Sequence, residues 1–166
     1  MLPLAADCVY AREGVILNPH YRTMGGLYGS EYWTYTLPRR VGEERAVALT
    51  SECRPLGTSE AKAIGFIDDC FGESVNEFEE ILTNRALKLA QHEHFWQLLR
   101  EKHDKRLRDD RVKPLANYRA EELKHMHKNF YGADPAYHIA RQEFVYKGRP
   151  PQRPEKRDQK ILGARG

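Results

Sequence analysis

The stretch from Asn18 to Gly42, NPHYRTMGGLYGSEYWTYTLPRRVG, concentrates the side chains of this protein that could do chemistry. It places four tyrosines, a tryptophan, a histidine and a carboxylate around a glycine-rich turn. His20, Tyr21, Tyr28, Glu31 and Tyr32 carry polar groups on stiff or short stems, as a site for a small polar substrate requires. A carboxylate or an imidazole can move a proton, and a phenol can donate or orient one. Gly25, Gly26 and Gly29 free the backbone to turn sharply and approach a ligand closely. The same composition has a second reading, an aromatic helix packed in a core with its hydroxyls bonded to backbone.

Positioning these residues requires a helix after the turn. Ser30 reads as its N-cap, and Glu31 falls where the helix dipole favours an anion. Arg39, Arg40 and Gly42 supply the chemistry of a helix end. Before the turn, residues 8–11 and 15–17 read as short strands joined at Gly14. After the helix, residues 46–49 form a short apolar turn. Gly57, Thr58 and Ser59 cap a helix over 60–64, and residues 66–71 form a strand. Four helical segments follow. They are marked by Phe78, Ile81, Leu82 and Leu89, by Phe95, Leu98 and Leu99 running into the charged stretch 100–111, by Leu123, Met126 and Phe130, and by Tyr137, Ile139, Phe144 and Tyr146. Pro114 and Gly132 punctuate them. Residues 148–166, rich in Pro and basic side chains, read as a disordered tail. The expected organisation is therefore residues 1–72, 73–147 and the tail 148–166.

Composition narrows the function classes. With 166 residues, 40% hydrophobic and 31% charged, the chain reads as one soluble globular domain. No apolar run reaches membrane-span length, and no signal segment opens the chain, so a cytoplasmic protein is expected. Three scattered cysteines argue against a disulfide framework or a zinc knuckle. A net charge of +3 is too small to imply nucleic acid. His92 and His94, like His125 and His127, stand two apart and diverge on a helix, so no metal site is expected. Neither GxxxxGK[ST], GxGxxG nor GxSxG occurs. Arg39 and Arg40 could pair with a phosphate, although a helix end already accounts for them. The apolar opening LPLAADCVYA directly after Met1 suggests that something upstream is missing, and exposed apolar surface is expected near Leu2 to Val9.

The order of these elements resembles the second half of a crotonase domain, the enoyl-CoA hydratase/isomerase superfamily. The LPRRVG block matches that superfamily's R-x-V-G helix end, and ALTSECRPLGTSEAKAIGFID its "LTG…ISAxEAxxxGLV" segment. The resemblance implies an α/β crotonase carboxyl-terminal half, a few short strands followed mostly by helix. Residues 1–72 would carry the active-site loop and 73–147 a helical carboxyl-terminal region. An ordinary hydratase carries a glutamate after the proline that follows the second strand. Here Pro19 precedes His20 and Tyr21. NPHY, GSEYWTY, LPRRVG, YRAEEL and NFYG, with the DPAYHIARQEFVYK block, resemble the carboxyl-terminal domain of the HoxX-type hydrogenase-maturation family, over Leu2 to Lys147.

That family resemblance implies a formyltransferase-like amino-terminal portion fused to a crotonase-like one. A formyl group would pass from formyl-tetrahydrofolate to coenzyme A. The resulting thioester, formyl-CoA, would release carbon monoxide for the iron of nickel–iron hydrogenase. Implied partners are an acyl-CoA, the missing amino-terminal portion, and hydrogenase or its maturation machinery, with no metal, nucleic acid or membrane. For such chemistry the candidate catalytic residues, read from their side chains, are Tyr21, Glu31 and Tyr32, then His20, and Tyr21, Tyr28, Tyr32 and Trp33 are expected to narrow the pocket. The loop that gives crotonases one oxyanion amide would lie upstream, so this chain is expected to be inactive alone. Two alternatives stand beside this reading: part of an ordinary enoyl-CoA hydratase/isomerase, and a non-catalytic helical interaction module.

Overall fold

The computed structural model describes residues 2–147, so the tail expected over 148–166 lies outside them. A 3-10 turn, Leu2–Ala5, opens the chain and leads to β1, Tyr10–Arg12. Then come β2 (Ile16–Leu17), α1 (Trp33–Val41), α2 (Glu43–Glu52), β3 (Leu56–Gly57), α3 (Thr58–Ala63) and β4 (Asp69–Phe71). Four helices complete the chain: α4 (Val75–Ala90), α5 (Phe95–Val112), α6 (Leu115–Tyr131) and α7 (Ala136–Tyr146).

β1 pairs in parallel with β4, Ala11 opposite Cys70, and β2 pairs antiparallel with β3, Leu17 opposite Leu56. Parallel pairing demands a long crossover, here the whole stretch containing α1, α2 and α3. Two-stranded pairs are marginal in water unless something packs on them. The covering comes from Trp33, Leu37 and Val41 of α1 with Ala46, Leu56, Ala61, Phe66 and Ile67, all buried in one cluster. Asp68 ties the entry to β1, since its carboxylate accepts from Val9 N at 2.6 Å and its own amide donates to Val9 O at 2.8 Å.

Several elements depart from the sequence reading. α1 starts at Trp33 rather than at Ser30, and the Ser30 side chain caps nothing there. Residues 46–49 belong to a full helix, α2, whose acidic first turn (Glu43, Glu44) follows Gly42 directly. The strand expected over 66–71 shrinks to its last three residues, because Phe66 and Ile67 bend back and donate their amides to Ala61 O. Of the apolar opening, Leu4 and Val9 join the core cluster, whereas Pro3, Ala5 and Ala6 are exposed. Exposed apolar groups lie also on the later helices, notably Trp96, Phe144 and Tyr131 at 70%, 74% and 78% exposure.

The helical half attaches at defined points. Ser74 caps α4, its hydroxyl accepting from Glu77 N, and the Glu77 carboxylate reaches back to Glu73 N. Phe78 stacks on Phe71 at 5.2 Å, while Arg85 lies over the Phe71 ring and pairs with Asp69 at 2.7 Å. α6 runs back against α1. The start of α7 packs onto the glycine turn, where Gly25 has φ 58° and a Cβ would stand 2.3 Å from Ala136 O. Gly25→Ala therefore meets both an unfavourable backbone region and a backbone wall. We expect it to destabilise the chain by more than about 1 kcal/mol, read as a lowered denaturant midpoint. Gly26→Ala, also at positive φ but facing open space, should cost less.

Candidate active site

The glycine turn is a compact coil held by its own backbone: Gly26 N donates to Arg22 O and Gly25 N to Thr23 O, each at 2.9 Å. It folds Tyr21 back onto the segment that follows. The Tyr21 hydroxyl donates to Glu31 Oε1, and Glu31 Oε2 accepts from Ser30 N at 3.1 Å. Both carboxylate oxygens thus have partners. Gly29 (φ 81°) makes room for the pair, since a Cβ there would lie 2.7 Å from the Tyr21 hydroxyl and 3.0 Å from Glu31 Oε2. Burial, and then the bond to Glu31, hold the Tyr21 phenol well above the usual tyrosine range. Tyr21 is consequently a donor at neutral pH.

Glu31 and Tyr32 share the wall of a hollow of about 700 Å³. Its other walls come from the Leu4–Asp7 turn, from Tyr35, Thr36, Arg39 and Arg40 of α1, from Gly65 and Asp68, and from Lys105, Arg106 and Leu115. Tyr21 stands behind Glu31 rather than on this lining. The structure therefore brings Tyr21, Glu31 and Tyr32 together at one place, with Glu31 between the phenol and the cavity.

His20 sits deeper. It is 2% exposed, and neither ring nitrogen has a hydrogen-bond partner. Its ring lies 5.1 Å from Tyr21 and meets Trp33 edge-on at 5.0 Å. Burial, then the nearby Arg22 charge, push its pKa down to about 4. At neutral pH it is an uncharged packing group under Tyr21. Two expected wall residues are elsewhere: Trp33 is in the core, donating Nε1–H to Tyr28 O at 2.9 Å, and Tyr28 stacks on His125 at 4.2 Å. His92 and His94 interact locally, with ring centroids 5.7 Å apart.

The two arginines of LPRRVG are engaged within the protein. Arg39 lies over Tyr35 at 3.8 Å and pairs with Asp109 at 3.0 Å, and Tyr35 also donates its hydroxyl to Asp109. Arg40 bridges Asp68 at 3.0 Å and Ala6 O at 3.1 Å. The pocket rim is thus ordered by ion pairs linking α1 to α5 and to Asp68, and by the Arg40 hydrogen bond to Ala6 O beside the opening turn.

One residue that the sequence reading did not single out organises the whole segment. Glu122, in the middle of α6, is fully buried. Its carboxylate accepts from Tyr32 N at 2.8 Å, Thr34 N at 3.0 Å and Thr34 Oγ1 at 2.6 Å. These are the orphan donors at the start of α1, which Ser30 was expected to serve. The sequence does carry a signal for it. Leu115, Tyr118, Glu122, Met126 and Asn129 fall at helical spacing on one face of α6, so a carboxylate stands in an inward stripe and requires a partner.

No protein-family profile matches the chain. It is 46% identical over 148 residues to the hydrogenase maturation factor HoxX of Bradyrhizobium diazoefficiens, covering 88% of this chain and 26% of that protein. The crystal structure of HypX from Aquifex aeolicus in complex with tetrahydrofolic acid superposes with a TM-score of 0.80 at 42% identity, over 87% of this chain and 26% of that one. Over this stretch the chain is homologous to the HoxX/HypX hydrogenase-maturation proteins. It spans about a quarter of the length of these relatives. An enoyl-CoA hydratase/isomerase from Pseudoalteromonas atlantica superposes with a TM-score of 0.64 at 22% identity, over 90% of this chain and 57% of that one. The fold is accordingly that of the crotonases, as the order of elements implies. Among the described residues no group of three metal-ligating side chains gathers, and no helix is long and apolar enough to cross a membrane.

His20 gives the site a measurable pH signature. Its folded pKa of about 4 lies below the ordinary 6.5, so the unfolded chain binds the proton more readily. Stability from the neutral ring is complete above pH 6.5 and falls as the pH drops towards 4. The loss approaches roughly 3 kcal/mol at the acid end. Denaturant unfolding at pH 7 and 4.5 should show this loss in the parent, and a clearly smaller one in His20→Phe.

Proposed function

We propose that this chain forms the crotonase-like part of an enzyme that splits formyl-CoA into carbon monoxide and coenzyme A. The observation that carries this reading is the Tyr21–Glu31 pair set against the hollow that Glu31 and Tyr32 line. Homology to HoxX and HypX supports it, as does the tetrahydrofolic acid bound in the HypX crystal structure. The formyl group would come from formyl-tetrahydrofolate through a formyltransferase-like amino-terminal portion, and the carbon monoxide would go to the iron of nickel–iron hydrogenase. Such a protein would work in the cytoplasm, with hydrogenase or its maturation machinery as partner.

The chemistry is a balanced elimination. The Glu31 carboxylate takes the formyl proton, and the C–H electron pair becomes the lone pair on carbon. The C–S bond breaks with its electrons passing to sulfur. The proton then returns from Glu31 to the thiolate, giving carbon monoxide and free thiol with no other reactant. Tyr21, held protonated, orients Glu31 through its hydrogen bond and stabilises the charged carboxylate. Tyr32 closes the wall beside the reacting carbon.

The test is Glu31→Gln in a full-length HoxX-type protein that carries this region, assayed for carbon monoxide with a haem reporter. Loss of a positioned acid–base group should slow release on the order of a hundredfold or more. Unchanged release would remove Glu31 from the mechanism. Hydration of crotonyl-CoA by the same protein would favour an ordinary hydratase instead.

A further inference from the structure

We propose that Glu122 is a positioning residue that holds Glu31 and Tyr32 in the arrangement in which Glu31 meets Tyr21. The proposal rests on the reading of Tyr21 and Glu31 as the chemical pair, yet its test needs no turnover.

Tyr32 is the residue just before α1, and it adopts a left-handed backbone (φ 56°, ψ 28°). A side chain larger than glycine is disfavoured there. The conformation persists only if neighbouring contacts impose it. Contacts within the turn do not suffice, since no side chain near in sequence caps α1. The constraint arrives from ninety residues away: the Glu122 carboxylate grips the amides of Tyr32 and Thr34 on both sides of the bend, plus the Thr34 hydroxyl. Three donors converge on two oxygens of a side chain that is 0% exposed.

The bend at Tyr32 fixes the direction of the preceding residue, Glu31. Its two oxygens find Tyr21 and Ser30 N in that orientation. Gly29 and Tyr28 are anchored by the same helix, through the Met126 sulfur at 3.2 Å and Asn129 Oδ1 at 3.0 Å. α6 therefore carries three successive holds on the segment 28–34, and Glu122 is the one next to Glu31. The remaining neighbours are consistent with this role: Arg119 of the same helix lies 5.6 Å over the Tyr32 ring.

The experiment uses the 166-residue chain with tyrosine labelled at Cζ, and the Tyr21 signal identified by its loss in Tyr21→Phe. Exchange of the Tyr21 hydroxyl with solvent is read through the deuterium isotope shift at Cζ. In Glu122→Gln an amide NH2 replaces one acceptor, so either Tyr32 N, held by Oε2, or Thr34 N with its hydroxyl, held by Oε1, loses its partner. We expect a folded chain whose Tyr21 hydroxyl exchanges on the order of tenfold faster. Phe71→Leu, a buried change against Tyr10, Phe78 and Arg85, serves as control: it lowers general stability and should leave that exchange at the parent rate. A folded Glu122→Gln with parent-like Tyr21 exchange overturns the proposal. So does Phe71→Leu accelerating exchange as much as Glu122→Gln. Should Glu122→Gln fail to fold, Thr34→Val removes only the hydroxyl donor and should give a smaller acceleration; no acceleration there overturns the proposal as well. If Glu31→Gln leaves carbon monoxide release intact while Glu122→Gln loosens Tyr21, the formyl-CoA reading falls and the positioning role stands.

Discussion

The structure around the cavity depends on a single buried carboxylate. Helices begin with unsatisfied amides, and a buried helix start must find acceptors for them. α1 begins against α6, where Glu122 supplies both oxygens to Tyr32 and Thr34. A negative group at that end also suits the helix dipole. The arrangement does more than cap a helix. It welds the mobile-looking part of the sequence, a run with three glycines, to a long helix contributed by the other half of the chain. Short turns rarely hold polar side chains in register by themselves, and this one is held from outside.

Other contacts follow the same logic of distant support. Asp68 fixes the entry to β1 through Val9 and is itself fixed by Arg40 from the end of α1. Asp109 of α5 collects Arg39 and Tyr35. Ala136 and Tyr137 at the start of α7 close on Gly25. Each of these is a long-range contact at the rim or base of the site. The strands, two or three residues each, could not position it alone, and the aromatic and charged contacts of the helices give the turn its shape.

What could be read from residues and what could not divides along this line. The helices after residue 73 were legible, because Phe78, Ile81 and Leu82, or Leu123, Met126 and Phe130, repeat at helical spacing. Gly14 and Gly132 marked element ends as turn chemistry requires. Residues 46–49 by themselves carry only an apolar turn, and α2 emerges only with the acidic Glu43 and Glu44 that open it. Ser30 was expected to cap α1 because local rules look three residues ahead. The actual cap comes from Glu122, which no local rule can reach. Of the candidate residues, Tyr21, Glu31 and Tyr32 gather at one place, whereas Trp33 was claimed by the core because its large apolar surface gains more from burial than from lining an open cavity.

The surroundings of Tyr21, His20 and Glu31 assign different work to these three candidate groups nearest the turn. A phenol pushed above its ordinary range stays protonated and donates to Glu31, which suits Tyr21 to orienting its partner. An imidazole buried without partners and pushed down to about 4 is neutral near pH 7, yet it reaches neither the cavity nor a proton carrier. That leaves His20 as a packing group between Tyr21 and the edge-on ring of Trp33. Glu31 alone combines a place on the cavity wall with a basic oxygen and a donor holding it in place. For the proposed one-carbon acyl substrate, which would offer little binding energy from the acyl portion itself, fixing that one oxygen would matter more than adding contacts. Preorganisation by Tyr21 on one side and by the bend at Tyr32 on the other is what such a reaction asks of the protein.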